Sequence, residues 1–187
     1  MANYTVFEST NMGSTKYAER IFDAVADTDI ENGTFGYLDG LAEGEAVTYN
    51  FKPGTKAGEK VVVVDNPAWD EDTCRKSNQR KDNYIIPAGT RFRVRVVKVT
   101  DEFAIGIKGV TSATQSVVTG VTDFIANDVF LTIDASGKLV AKTETTADAA
   151  MEARIMRKRI SGGTIVTGAR SYGYSRDMYE AKVNILA

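Results

Sequence analysis

The chain has 187 residues and a mass of 20.3 kDa, which suits one domain or one domain with an appendage. Hydrophobic residues make up 43% and charged residues 26%, an ordinary globular composition that excludes wholesale disorder. The 23 basic and 25 acidic residues leave a net charge of −2, without the basic excess of a general nucleic-acid binder. There is no histidine, which excludes Ser-His-Asp and Cys-His nucleophile systems, and a single cysteine excludes an intramolecular disulfide and a multi-cysteine zinc site.

The sequence predicts neither a membrane span nor a secretory signal. No apolar run of about 20 residues occurs in the chain. Residues 1–8 contain neither the basic region nor the apolar region that open a signal peptide. We therefore expect a protein that is made in a cytoplasm.

Residues 1–28 differ from the rest of the chain. Their first half is rich in Ser, Thr, Asn and Gly, whereas Tyr17, Ile21, Phe22 and Val25 have the i, i+4, i+5, i+8 spacing of one helical face. This spacing predicts an N-terminal arm that carries a short helix and docks on another surface, so that its deletion leaves the remaining domain folded. The alternative is a helix packed on its own domain, or a frayed terminus.

From residue 29 onward, short β-like runs alternate with turn signals. Asn-Gly at 32–33 and Asp-Gly at 39–40 are strong turn dipeptides, and residues 34–38 between them read as a strand. Residues 46–51 alternate between apolar and polar side chains, which indicates a half-buried strand. The four valines at 61–64 are a continuous β-branched run, which predicts a strand buried on both faces.

Residues 66–83 form a long polar stretch that contains Trp69. A connection of this length is uncommon in a compact domain and is often functional. Trp69 is the single tryptophan and a candidate interface anchor, because tryptophan often dominates binding energy. The alternative is that Trp69 pins the loop to the core.

The clearest strand covers residues 91–99, where Arg91, Arg93 and Arg95 alternate with apolar residues. After residue 96 the alternation changes, which indicates a β-bulge or a change of environment. The three arginines form a basic stripe on one face. Such a stripe is either a solvated sheet face or a surface that meets an acidic partner.

The C-terminal half contains further strand patterns and one ambiguous segment. Residues 153–160 are compatible with a helix by propensity, but the surrounding β context favours a strand. The stretch 162–174 matches no pattern that assigns it a structure. The other predicted features are strands at 103–107, 129–133 and 179–186 and a hairpin turn at 134–137 that returns through 138–141.

These patterns predict a mainly β protein. We expect a compact antiparallel β-barrel or sandwich-like domain over residues 29–187, with long polar loops, and an N-terminal arm with a short helix over residues 1–28.

The search for chemistry in the sequence finds no catalytic constellation. The glycine-containing stretch 54–60 lacks the Gly-Lys-Ser/Thr ending of a phosphate loop. The acidic residues near 65–72 lack the ligand spacing of a calcium loop. Cys74 has basic neighbours but no histidine base in the chain. We expect no catalytic residue, no cofactor and no metal, and a chain that binds another protein.

Two stretches resemble the opening of small capsid cement, or decoration, proteins of tailed bacteriophages. They are Asp-Ile-Glu-Asn-Gly-Thr-Phe-Gly-Tyr-Leu at 29–38 and Glu-Gly-Glu-Ala-Val-Thr-Tyr at 43–49. The resemblance continues with a valine-rich strand and loop over 61–69 and an Ala-Gly turn before a strand over 88–99. These shared motifs are turn signals and carry no chemistry.

The resemblance implies a non-enzymatic virion component on the capsid exterior, made in the host cytoplasm. Its implied partner is the major capsid protein, whose neighbouring subunits it would bridge and stabilise; oligomers of the chain itself at symmetry axes also fit, whereas nucleic acid and membrane are not implied. The predicted partner contacts are the aromatic residues of the arm, the loop tryptophan and the arginine stripe: Tyr4, Phe7, Tyr17, Phe22, Trp69, Arg91, Arg93 and Arg95.

Three other functions stay open. A phage tail-tube or other assembly subunit would polymerise with itself. A small carboxylate-dependent hydrolase would place a buried carboxylate pair in a cleft. A free-standing β-barrel binding module would contain a deep apolar pocket.

Overall fold

The structure is a computed structural model, and it is mainly β, which confirms the predicted fold class. Its strands form one closed barrel, one six-stranded sheet and one two-stranded sheet. The residues that the structure describes are 4–13, 21–67, 81–120, 128–161, 166–167, 170–171 and 176–186.

The strands are numbered in chain order. They are β1 (Phe7–Asn11), β2 (Ile21–Val25), β3 (Phe35–Leu41), β4 (Thr48–Pro53), β5 (Val62–Val64), β6 (Phe92–Val96), β7 (Glu102–Gly106), β8 (Phe130–Ile133), β9 (Leu139–Lys142), β10 (Met151–Ser161), β11 (Val166–Thr167), β12 (Arg170–Ser171) and β13 (Arg176–Leu186). The described helices are α1 (Gln115–Thr119) and the 3₁₀ turns Lys81–Asn83, Ile107–Gly109 and Ser112–Thr114. Within the described residues, no helix has the length and apolar character needed to cross a membrane.

The six-stranded sheet is antiparallel throughout, in the order β1-β7-β13-β10-β8-β9. Its centre is the long pair β10 and β13, of 11 residues each. The strand expected over 153–160 is confirmed, and the helix alternative is wrong there. Pairing with β13 on one side and β8 on the other satisfies the backbone of β10, which outweighs helix propensity.

The closed barrel has the strand order β2-β4-β3-β5-β6, and pairing of β2 with β6 completes it. β2 and β4 run parallel, whereas the other neighbouring pairs are antiparallel. Phe51 and Phe92 pack edge to face inside the barrel, with ring centroids 5.6 Å apart. Val62, Val64 and Val94 belong to the same buried cluster.

The barrel and the six-stranded sheet share a second core. Val61 and Val63 belong to this shared core, whereas Val62 and Val64 belong to the barrel cluster. All four valines are at most 3% exposed, which confirms the prediction of a segment buried on both faces. Phe35 of β3 completes the junction, because its ring lies 5.5 Å from that of Phe103 in β7.

The helix predicted over 17–25 is wrong for its described part. Residues Ile21–Val25 form β2, which pairs with β4 on one side and β6 on the other. Phe22 and Ala24 pack on the barrel cluster, while Asp23 between them is exposed. Apolar residues at 22, 24 and 25 fit a strand of the closed barrel as well as they fit a short helix, and pairing with two neighbours decides between them.

The described parts of residues 1–28 are also not a separate arm. β1 pairs with β7 at the edge of the six-stranded sheet, and β2 is one of the five strands of the barrel. Ser9 of β1 donates a 2.5 Å hydrogen bond to Asp65, which follows β5. These strands therefore belong to the same folded body as residues beyond 28.

Candidate interaction surface

The outer face of the six-stranded sheet is the face turned away from the shared core. Pairs across the strands share a face, so Ala104 marks this side by pairing with Glu8 in β1 and with Glu180 in β13. Glu180 in turn pairs with Arg157 of β10. The opposite face carries core residues such as Phe103 and Ala181.

Charged side chains form a continuous network across the outer face. Arg159 lies 2.5 Å from Glu8 and 2.5 Å from Glu180, so it joins the two carboxylates. Arg157 binds the second oxygen of Glu180, and Lys81 lies 3.6 Å from Glu8. The network links the edge strand β1 to the two central strands of the sheet, β13 and β10.

The network holds Glu180 ionised. Burial raises the pKa of Glu180, but hydrogen bonds and positive charge from Arg157 and Arg159 outweigh it, so the pKa lies below its ordinary value. Burial likewise lowers the pKa of Arg159, and its bonds to Glu8 and Glu180 more than offset this, so that pKa is raised. A general acid of a glycosidase needs a raised carboxyl pKa, which is the opposite direction to that of Glu180.

A groove of about 280 Å³ runs beside this network. Ala104 of β7, a small side chain on this face, contributes to its lining, and Glu102 lines it on the β7 side. Met156 of β10 also lines the groove and is 40% exposed. The β10–β13 register shifts between residues 155 and 157, which places Met156 in a β-bulge.

The pair β10 and β13 extends past its neighbours in the sheet. β8 pairs with β10 over residues 152–154, and β7 pairs with β13 over residues 178–182. Beyond them, Ile160 pairs with Asp177, and Ile160 is 69% exposed. We call β10 and β13 together the ribbon.

The aromatic residues predicted as partner contacts have different places in the fold. Phe7 is 6% exposed in the shared core and packs against Phe35 and Phe103, so its assignment to a partner surface is wrong. Its position in β1, paired with β7, turns the ring inward. Tyr4 is half-buried, and its backbone N–H donates to the carbonyl of Asp82.

Phe22 is half-buried at one end of the barrel. Its ring meets that of Tyr49 edge to face, with centroids 5.6 Å apart. Its role as a partner contact stays a prediction. The predicted contacts Tyr17 and Trp69 lie outside the described residues.

Arg91 directly precedes β6, and Arg93 and Arg95 lie within it. The three arginines do not form one stripe of unpaired charge. Arg95 pairs with Asp65 and its side chain is 12% exposed, which leaves little of it for a partner. Arg91 pairs with Glu45. Arg93 is exposed. The carboxylates of the chain itself therefore meet two of the three charges that were predicted to face an acidic partner.

Sequence reasoning missed the outer-face network. The basic residues at 157–159 and the charged residues at 180 and 182 were visible, but their spacing reports only which side of a strand each residue occupies. Which strands become neighbours depends on pairing over long sequence separations. Among the described residues, no group of three or more acidic or cysteine side chains is placed to hold a metal ion.

A comparison with protein-family models, with curated proteins and with solved structures finds no match to this chain.

Proposed function

We propose that the protein is a non-enzymatic virion structural protein. In this proposal it binds the outer surface of an assembled phage capsid and bridges neighbouring subunits of the major capsid protein. The proposal combines the resemblance of residues 29–49 and 61–99 to capsid cement proteins with the surface of the ribbon.

The observation that carries the proposal is the ribbon, which is long and extends at one end past both strands that flank it. Eleven residues at about 3.4 Å each give a strand of roughly 37 Å. The neighbouring strands β8 and β7 hold only part of that length. The end at residues 160–161 and 176–177 extends past both, and a ribbon that is fixed in a sheet and projects at one end is suited to contact a neighbouring subunit of a shell.

The exposed chemistry of the ribbon fits a protein partner. Met156 is 40% and Ile160 69% exposed, and both lie close in sequence to the basic residues Arg157 and Lys158. Methionine and arginine are enriched at the buried centres of protein interfaces. Because Arg157 is already paired with Glu180, its orientation is set before a partner arrives, which reduces the entropy lost on binding.

Bridging explains how modest contacts stabilise a shell. Once one contact is made, a second contact to the neighbouring subunit becomes effectively intramolecular. A protein that binds the assembled shell and not the dissociated subunits shifts the equilibrium toward the shell.

The test is co-sedimentation with expanded capsids of the encoding virus that lack this protein. We expect the full chain to sediment with the capsids at a fixed ratio to capsid subunits and to raise the temperature at which the shells break. Ile160→Ser should weaken binding about tenfold, because it removes an exposed apolar contact. Val99→Ser is the matched control, since Val99 is also exposed, at 47%, but lies outside the ribbon.

Two results would overturn the proposal. Failure of the folded chain to bind assembled capsids would remove the cement role. Polymerisation of the purified chain into tubes would favour the tail-tube alternative.

A further inference from the structure

One end of the barrel opens into an apolar cavity of about 400 Å³, which we call the mouth. The mouth lies where β3 and β6 end and β4 and β5 begin. Phe22, Leu38 and Tyr49 line it, together with the buried valines Val62 and Val96. Each of the five barrel strands contributes one of these residues to the interior, so the cavity is the unfilled end of the barrel interior.

The barrel interior is closed below the mouth. The rings of Phe51 and Phe92 pack edge to face there, and both residues are at most 3% exposed. The lumen is therefore a cup and not a channel. In the cup the rings of Phe22 and Tyr49 meet edge to face, which gives one side of it an aromatic wall.

We infer that the mouth is a binding site for a bulky, uncharged apolar side chain carried by a partner polypeptide. This goes beyond the proposed capsid function, because it concerns a different surface and holds for any protein partner.

The charges at the mouth favour an uncharged occupant. Glu59 and Lys60 are the charged residues of its lining, and they have opposite signs. The lining thus carries no net charge, while the rest is apolar or glycine. Both charged residues are exposed, so a charged group deeper in the cup would lose its hydration among apolar side chains, whereas a neutral apolar group loses nothing.

The surface around the mouth favours a polypeptide over a small molecule. Leu41 pairs with Tyr49 in the barrel and is 48% exposed, and Val47, two residues before Tyr49, is 66% exposed. A small molecule that fills the cup leaves these side chains in water. A polypeptide with one side chain in the cup covers them with its flanking residues.

Two glycines with open surroundings lie at the mouth. Gly40 and Gly58 line it with φ of +76° and +80°, and a Cβ on either would meet no atom within 4 Å. Aspartate tolerates this backbone region better than most residues. Aspartates at these positions place charge at the mouth with less backbone strain than most other side chains would cause. Gly44 and Gly89 have the same open surroundings, with φ of +74° and +73°, but do not line the mouth.

The experiment titrates the full chain with capped peptides and follows binding by NMR. The probe is acetyl-Leu-Ser-Trp-Ser-Leu-amide, in which an extended backbone puts tryptophan and both leucines on one side. Its controls are the same peptide with alanine for tryptophan, and N-acetyltryptophanamide, which lacks the flanks. We expect saturable shifts at the mouth residues and at least tenfold tighter binding than the alanine peptide, and about fivefold tighter than the amide.

Matched variants test the location. The double variant Gly40→Asp, Gly58→Asp should weaken binding of the tryptophan peptide at least tenfold. The double variant Gly44→Asp, Gly89→Asp changes net charge equally and should leave it within twofold. Equal effects of the two variants, or equal binding of both peptides, would overturn the inference.

Two further outcomes also overturn it. If the amide binds as tightly as the peptide, the mouth is a small-molecule site. If the purified chain self-associates through the mouth, the occupant is a second copy. Capsids are not used, so a failure here leaves the capsid proposal standing and the reverse also holds.

Discussion

Arg159 of β10 lies 2.5 Å from the carboxylate of Glu8 in β1, although 151 positions separate the two residues. β7 and β13 stand between their strands, so the two side chains extend toward each other across roughly 14 Å of sheet. Arg159 also contacts Glu180 on the way. One side chain thus ties the edge strand β1 to the ribbon.

Removing the charge of Glu8 should loosen this tie. Glu8→Gln keeps the shape but loses the charge, so the free energy of unfolding should fall by about 1 kcal/mol, because Glu8 is only 16% exposed. The matched control is Glu102→Gln, whose carboxylate is 45% exposed and 3.9 Å from Lys182. It should cost less than about 0.5 kcal/mol. Urea unfolding measures both, and equal losses would contradict the role given to Glu8.

The contribution of Glu180 should depend on pH. Its pKa is lowered in the folded protein from an ordinary value of 4.5. A lowered carboxyl pKa stabilises the fold above the unfolded pKa, and this stabilisation is lost as the pH falls through the folded pKa. The loss of stability in Glu180→Gln should therefore be largest at pH 7 and shrink below about pH 4.5. A loss that stays constant between pH 7 and pH 3 would show that the charge of Glu180 does not act in this way.

Phe35 should couple the barrel to the six-stranded sheet. Phe35 is fully buried against Phe7 and Phe103, and Phe35→Ala leaves a cavity that should cost about 3–5 kcal/mol. Unfolding followed by circular dichroism should remain one transition, because both units share this core. Val47→Ala at an exposed position should change stability by less than about 0.5 kcal/mol. Two separate transitions in the Phe35 variant would mean that the units fold independently.

Deleting residues 2–28 should unfold the protein, whereas the sequence predicted that the remaining domain would stay folded. The deletion removes β1 and β2, and without β2 the barrel loses the strand that joins β4 to β6. Both neighbours would expose unpaired backbone and the barrel interior would open to water. A truncated chain with native far-ultraviolet circular dichroism and cooperative unfolding would contradict this.

The hairpin turn at 134–137 offers a local test. Gly137 has φ of +78°, and a Cβ there would lie 2.2 Å from the carbonyl oxygen of Phe35. Gly137→Ala should therefore destabilise the protein by about 2 kcal/mol or more, whereas Gly120→Ala, at φ −72°, should change stability by less than about 1 kcal/mol. Equal melting temperatures for the two variants would rule out the close approach.

Local patterns in the sequence were sufficient for the fold class and for several elements. The valine run at 61–64 and the turn at 134–137 could each be predicted, because burial on both faces and turn chemistry act on neighbouring residues, whereas the strand over 153–160 was favoured only by the β context around it. The change of pattern after residue 96 was also informative: Val96 packs in the barrel and Val97 in the shared core.

Long-range pairing decided the rest. A short apolar segment such as 21–25 carries no signal that separates a helix from a barrel strand, and its neighbours β4 and β6 settle the matter. The same holds for the surfaces: Glu8, Arg159 and Glu180 meet, and Phe22 reaches Tyr49, only because strands far apart in sequence lie side by side. The residues next to a side chain in sequence determine which face of the strand it occupies. The order of strands in the sheet determines which other side chains it contacts on that face.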